Sequence, residues 1–381
     1  MSDETSTQPA ATGKVYRIGT RSSRLAMVQT NIVRDALLAV HPDATFEITS
    51  MKTMGDKDKV TALHSFGAKS LWTLELEALL LEKQVDLIVH SLKDMPTQLP
   101  PGCILGSVLE REDPRDALVM KAGSPYKSLD DLPPGSVVGT SSVRRGAQIL
   151  KRHPHLKLEN ARGNVDTRLR KLDDPSSPYA CIILAAAGLH RLSLGDRITS
   201  YLSHPTLLHA VGQGAIGVEI RSQDPEIANL VAPLTHTPTY LCCLAERQLM
   251  RTLEGGCSVP IGVETKFVPS VEGGEVEEGS NTNKIHFRAS VSSVDGTESV
   301  EVEDTLSLDM EGETAVKLSP TRAEDVGRLM AVRMLDKGAG TILEAIQRSK
   351  DTDPQAAKVA EKEEEVEKQM RNLIEGQGAS E

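Results

Sequence analysis

Four short stretches hold residue types and spacings that could do chemistry. In EGGCSVPIG, residues 254–262, Cys257 follows two glycines that offer no side chain to cover its sulfur. A structural cysteine more often packs as a small inert hydrophobe, so a loop thiol of this kind points to reactivity. In VVGTSSVRRGAQ, residues 137–148, an apolar run ends in Gly139-Thr140-Ser141-Ser142 and a helical pattern follows at once. The free N–H groups of that helix start, three hydroxyls, and Arg144 and Arg145 predict an anion cradle in preference to a plain serine N-cap. IGTRSSRLA, residues 18–26, has the same shape, so two such turns would face one another across a cleft. The fourth stretch, VDLIVHSLKDMP, residues 85–96, runs a buried strand into His90, Lys93 and Asp94. There Asp94 is either a surface ion pair of little worth or an acid/base and cation-stabilising group.

The arginines are unevenly spread. Arg21 and Arg24, Arg144 and Arg145, Arg162, Arg168 and Arg170, and Arg191 all stand beside Gly/Ser/Thr-rich turns. Guanidinium matches a carboxylate with two parallel hydrogen bonds, so this grouping predicts a site for a small polyanion. A net charge of −11 argues against a nucleic-acid binder. No run approaches bilayer length. Five cysteines at irregular spacing, with no CxxC pair, predict neither a metal site nor a redox motif. They fit a reducing cytosol. VGQGAIG, residues 211–217, matches GxGxxG, but a strand-like run follows it where a dinucleotide site needs a helix. It reads as a glycine-rich hinge.

The elements that must position these residues alternate. KVYRIGT, FEITSM and VDLIVHS read as strands, with helical patterns over about 23–40 and LELEALLLEK. After GCILGSVL and DALVM comes a second series: VVGTS, LKLENA and ACIILAAAG as strands, VRRGAQILKR and NVDTRLRKL as helices. Such alternation implies parallel sheets with crossover helices, and ligands then bind beyond the carboxyl ends of strands. Past residue 236 come a helix, a hairpin from KIHFRASVSSVDG to TESVEVEDTLSL, and a helix over 322–335 stopped by Gly338. The expected division is a disordered lead 1–13, an α/β domain of 14–111 and 212–235, and a second of 112–211. A smaller α+β domain, 236–350, carries Cys257, and a charged tail, 351–381, ends the chain.

These pieces together resemble the porphobilinogen deaminase (hydroxymethylbilane synthase) family. IGTRSSRLA, HSLKDMP, GTSSVRR, ARGNVDTRLRKLD, AAAGLHRL, AVGQGAIGVE and LEGGCSVPIG occur in the expected order. The resemblance covers roughly residues 14–348 and is nearest the fungal members in KSLDDLP and DDPSSPY. It implies two hinged domains like those of periplasmic binding proteins, plus a third whose cysteine, here Cys257, bears a dipyrromethane cofactor through a thioether. The implied transferase joins four porphobilinogen molecules head to tail, releasing ammonia each time, and frees a linear tetrapyrrole for heme synthesis. Loss of ammonia leaves an electron-poor azafulvene, and by resemblance Asp94 stabilises the charge that develops on pyrrole nitrogen. Cofactor contacts carry over to Lys93, Asp94, Thr140, Ser141, Ser142, Arg144, Arg145, Arg168 and Arg191. Substrate contacts carry over to Arg21, Ser23, Gln29, Arg162, Lys69 and Trp72. A cytoplasmic monomer, with no metal, nucleic acid or membrane partner, is expected.

Two positions depart from the family pattern: Leu74 and Ser22 stand where lysines are usual. Two rival classes remain at this level. A non-catalytic anion-binding protein explains the arginines but gives Cys257 no task. A cysteine hydrolase needs a base to form thiolate, and no histidine lies near Cys257 in sequence.

Overall fold

The computed structural model describes residues 13–52, 73–253, 259–269, 283–308 and 319–351. Lys69, Trp72, Cys257, nearly all of the expected lead, and the tail beyond residue 351 lie outside the described residues.

The first apolar run forms β1 (Val15–Arg21), with Tyr16 and Ile18 fully buried. Ser23 caps α1 (Arg24–Val40), its Oγ accepting the Ala26 N–H at 3.3 Å, which satisfies one of the helix's orphan donors. The helix stops at His41, because the following Pro42 disfavours helical backbone there. β2 (Thr45–Met51), α2 (Leu74–Leu81) and β3 (Leu87–Ser91) come next, and β1 pairs in parallel with both β2 and β3. β4 (Cys103–Val108) and β10 (Ile216–Arg221) complete a sheet of order β2-β1-β3-β10-β4.

A second sheet has the order β7-β6-β8-β5-β9. It is built from β5 (Asp116–Met120), β6 (Val137–Gly139), β7 (Lys157–Glu159), β8 (Tyr179–Ala185) and β9 (Ser200–Leu202). Its helices are α3 (Val143–Arg152), α4 (Val165–Asp173) and α5 (Ala186–Arg191). The expectation of parallel sheets needs correction, since both are mixed. In each, the antiparallel member is the strand arriving from the other sheet: β5 after β4, and β10 after β9. A crossover helix restores strand direction, and a strand that enters from the neighbouring unit has none.

After α6 (Pro225–Val231), the long α7 (Thr237–Thr252) opens a smaller unit. The predicted hairpin forms as β12 (Lys284–Ser292) and β13 (Ser299–Ser307), extended by β11 (Ile261–Val268) into a three-stranded antiparallel sheet. α8 (Pro320–Asp336) and α9 (Ala339–Asp351) complete it. Leu241 and Leu249 of α7, Phe287 and Val291 of β12, and Met330 and Met334 of α8 share one core. Gly327 makes this packing possible: a Cβ there would run into the Ala245 carbonyl oxygen.

The VGQGAIG run carries the chain from the second sheet back to β10. Gly214 has φ +87°, and a Cβ on it would meet the Glu112 carbonyl oxygen of the outward crossing. Both crossings are pinned to the smaller unit through Glu246 of α7. Arg111 donates to its two carboxylate oxygens at 2.7 and 3.0 Å, the Gly212 N–H at 2.8 Å, and the Thr265 hydroxyl at 2.5 Å. Burial pushes the Glu246 carboxyl up, but Arg111 above all draws it below the usual range. Glu246→Ala would strand a buried guanidinium, so a loss of about 3–5 kcal/mol is expected in denaturant unfolding. An unchanged midpoint would contradict this pinning.

Candidate functional site

β3 is buried along almost its whole length, so its end dictates where the next residues stand. A single 3-10 turn, Leu92–Asp94, drops Leu92 into the core and leaves Lys93 and Asp94 half-buried at a cleft. Arg247 of α7 holds the far side of this turn, donating to the carbonyl oxygens of Met95 at 3.1 Å and Pro96 at 2.5 Å. The helix that leads toward residue 257 is thereby tied to the strand end that bears Asp94.

The cleft is a cavity of about 690 Å³ between the two larger sheets. Eight arginines and lysines line it: Arg21, Arg24, Lys52, Lys93, Arg145, Arg162, Arg168 and Lys171. Among the described residues, two carboxylates, Asp94 and Asp166, do so. Asp166 is already paired with Arg24 across the mouth at 3.0 Å, an exposed contact of little energetic worth. Asp94 accepts no hydrogen bond from any described residue, so its oxygens are available to whatever enters.

The sequence-predicted residues separate into two groups. Arg21, Ser23, Gln29, Lys93, Asp94, Arg145, Arg162 and Arg168 all line the cavity. Gln29 is set by the Ser91 hydroxyl, which donates to its Oε1 at 2.9 Å. Thr140, Ser141, Ser142, Arg144 and Arg191 do not line it, so the second glycine-threonine turn reaches the cavity only through Arg145. Two hydroxyls of that turn serve the local backbone. Thr140 Oγ1 accepts the Ser142 N–H at 3.2 Å, and Ser142 Oγ caps α3 on the Arg145 N–H at 3.4 Å. Ser141 Oγ is buried with no partner among the described residues.

Arg144 and Arg145 are held by one buried anion. Arg145 donates through Nε and Nη2 to Asp116 Oδ1 at 3.0 and 2.7 Å, and through Nη1 to the Ile183 carbonyl at 2.8 Å. Arg144 Nη1 lies 2.8 Å from Asp116 Oδ2 and donates to the Leu208 carbonyl at 2.5 Å. Gln213, inside the glycine run, adds a third donor to Asp116 at 2.9 Å. Burial pushes the Asp116 carboxyl up, but Arg144 and Arg145 hold it well below the usual range. Arg191 points to the same crossing and donates to the Gly214 carbonyl at 2.7 Å.

Crowding shows in the cations themselves. Burial first, then Arg145, lowers Lys93 to about 8, against the pull of Asp94. Burial and Arg145 lower Arg168 to about 10. Such a set of cations matches a polyanion in charge. Pyrrole rings bearing carboxylate side chains fit its donor chemistry, with the open Asp94 carboxylate as a further partner. Sequence reasoning missed Lys52, Lys171 and Asp166 in the lining, and Asp116 beneath it. DALVM carries no mark beyond that of a strand.

Comparison with known proteins agrees with this chemistry. A family model described as "Porphobilinogen deaminase, dipyromethane cofactor binding domain" matches residues 16–229, and the C-terminal domain of the same family matches 240–336. Porphobilinogen deaminase of Yarrowia lipolytica is 54% identical over 338 residues, covering 87% of this chain and 93% of that one. The Saccharomyces cerevisiae protein is 48% identical over 337 residues, covering 87% and 97%. Among solved structures, the methionine-binding protein MetQ overlaps with a TM-score of 0.37 at 11% identity, covering 57% of this chain and 89% of that one. The chain belongs to the porphobilinogen deaminase family, the transferases also called hydroxymethylbilane synthases, with a dipyrromethane cofactor-binding domain.

Proposed function

We propose that this cleft is where the pyrrole rings of porphobilinogen and of the growing chain are gripped by their carboxylates, on a dipyrromethane primer tethered to Cys257. The observation that carries the reading is the imbalance, among the described residues, of eight cations against two carboxylates, one of them uncommitted Asp94. When attached, the primer supplies the free pyrrole α-carbon from which the chain grows. Each added ring brings an acetate and a propionate, so fixed cations in excess are a requirement of the product.

The residues divide the work. Lys93, Arg145 and Arg168 hold the primer. Arg21, Ser23, Gln29 and Arg162 take the incoming ring, joined by Lys69 and Trp72. Arg144, Arg191, Thr140 and Ser142, turned to Asp116 and to backbone groups, fix the position of Arg145 and of the glycine crossing. Asp94 accepts the pyrrole N–H as positive charge develops there, an electrostatic role. Its carboxylate oxygen then takes the proton that the joined ring must lose. Four free, buried thiols among the described residues suit a reducing cytosol. No described helix is long and apolar enough to cross a membrane.

Asp94→Ala should retain the mass of two added pyrrole units yet lower kcat by about a hundredfold or more. Near-normal turnover would remove Asp94 from this role. Lys93 is charged below about pH 8 and loses its grip on carboxylate as the pH rises past that value. Arginine stays protonated, so the ratio of kcat/KM in Lys93→Arg to that in the parent should climb above pH 8. The climb should approach roughly tenfold for each further pH unit. A ratio independent of pH would show that the Lys93 charge does not hold the ligand.

A further inference from the structure

One ion pair spans the mouth of the cleft, and its bonding is far thinner than that of the buried pairs beneath. Arg24, the first residue of α1, donates through Nη1 to Asp166 Oδ1 at 3.0 Å, and Asp166 lies in the first turn of α4. α1 packs on the first sheet and α4 on the second, so the bond crosses from one unit to the other. Both side chains line the cavity, yet they stay 58% and 45% exposed.

Asp116, at the crossing, takes donors from Arg144, Arg145 and Gln213 and is closed to solvent. Asp166 has Arg24 as its one hydrogen-bond donor among the described residues. Arg24 in turn uses a single N–H on that carboxylate, and its Nη2 reaches the Leu192 carbonyl only at 3.5 Å, at the limit of a hydrogen bond. The two-pronged match that a guanidinium can make with a carboxylate is therefore unfilled. Nor does Arg24 serve its own helix. α1 has no acidic residue in its first turn, and a cation at a helix N-terminus opposes the dipole. Asp166 stands at the N-terminal end of α4, where a carboxylate is favoured, so it keeps a favourable place when Arg24 leaves. An exposed pair of this kind exchanges readily, because water and salt compete for both ends.

We propose that Arg24 is a further carboxylate-binding residue of the cleft, and that Asp166 is an internal carboxylate holding it until a ring carboxylate of porphobilinogen takes its place. The inference rests on the reading of the cleft as the site that grips pyrrole carboxylates. Arg21 and Ser23 precede Arg24 in the same strand-to-helix turn, and both line the cavity. Porphobilinogen carries an acetate and a propionate, so a ring held at Arg21 by one of them has a second to offer Arg24. Exchange conserves the charge pairing of Arg24, lets both prongs of its guanidinium bond, and unties α1 from α4 at the mouth. Arg24 touches substrate in this role; Asp166 acts only through Arg24.

The test is steady-state kinetics of the cofactor-bearing protein with porphobilinogen, in Arg24→Gln, Asp166→Asn and the double variant. Both positions are exposed, so each variant should keep the fold and the mass of the attached primer. Arg24→Gln should raise KM about tenfold with kcat within about twofold, the signature of binding lost equally from ground state and transition state. Asp166→Asn should do the opposite and lower KM about two- to fivefold, because the competing carboxylate is gone. In the double variant that gain should vanish, leaving the KM of Arg24→Gln alone. Arg24→Lys, which keeps the charge, should recover most of the loss. A pair that only ties the units together is broken equally by either substitution, so a shift of KM in the same direction in both single variants would overturn the inference. A lowered KM that persists in the double variant would also overturn it, since Asp166 would then act without Arg24. Arg21→Gln separates this inference from the reading beneath it. If Arg21→Gln raises KM and Arg24→Gln does not, the cleft grips carboxylates but Arg24 plays no part. If neither raises it, the reading of the cleft falls as well.

Discussion

A cleft crowded with guanidinium groups cannot fold unless something buried answers their charge, and Asp116 is that answer. It opens β5, the strand that arrives from the first sheet, and it binds both arginines at the start of α3. Gln213 from the returning crossing closes the same carboxylate. One anion thus fixes the strand order at the crossing, the direction of α3 and the reach of Arg145 into the cavity. Removing it would leave two buried cations repelling each other, a larger cost than any single surface pair here could offset.

The consequence for function lies in what Asp116 leaves unanswered. Lys93 and Arg168 line the same space with lowered proton affinity, and among the described residues Asp94 alone offers them an uncommitted carboxylate. The chain as a whole carries a net charge of −11, so the cleft is a cationic feature confined within an acidic protein. Such local focusing favours a small polyanion as the ligand. Glu246 performs a parallel task farther back, where it secures both crossings to the unit whose first helix leads toward Cys257.

Much of this was legible in the letters. An apolar run ending in HSLKD marks a buried strand end, and Lys93 and Asp94 stand there. The Ser142 cap runs against the sequence expectation of an anion cradle in preference to a serine N-cap, since the Thr140 and Ser142 hydroxyls serve the local backbone. The fate of Arg144 was not legible. Neighbours on a helix diverge by roughly 100°, given 3.6 residues per turn, and nothing local says which of two adjacent arginines will face the cleft. Asp116 and Asp166 escaped for a related reason: their partners lie far along the chain, Arg24 being 142 residues from Asp166. Strand direction was also hidden, because an apolar run reads the same whether its neighbours are parallel or antiparallel.

If the cation excess exists to hold a covalently tethered pyrrole chain, the tether must be visible as mass. Intact mass spectrometry of the purified protein, alone and after limiting porphobilinogen, tests this most directly. The predicted result is a mass two pyrrole units above the sequence mass, rising by single pyrrole units on addition of substrate, with both features lost in Cys257→Ser. An unmodified Cys257 in fully active protein would contradict it.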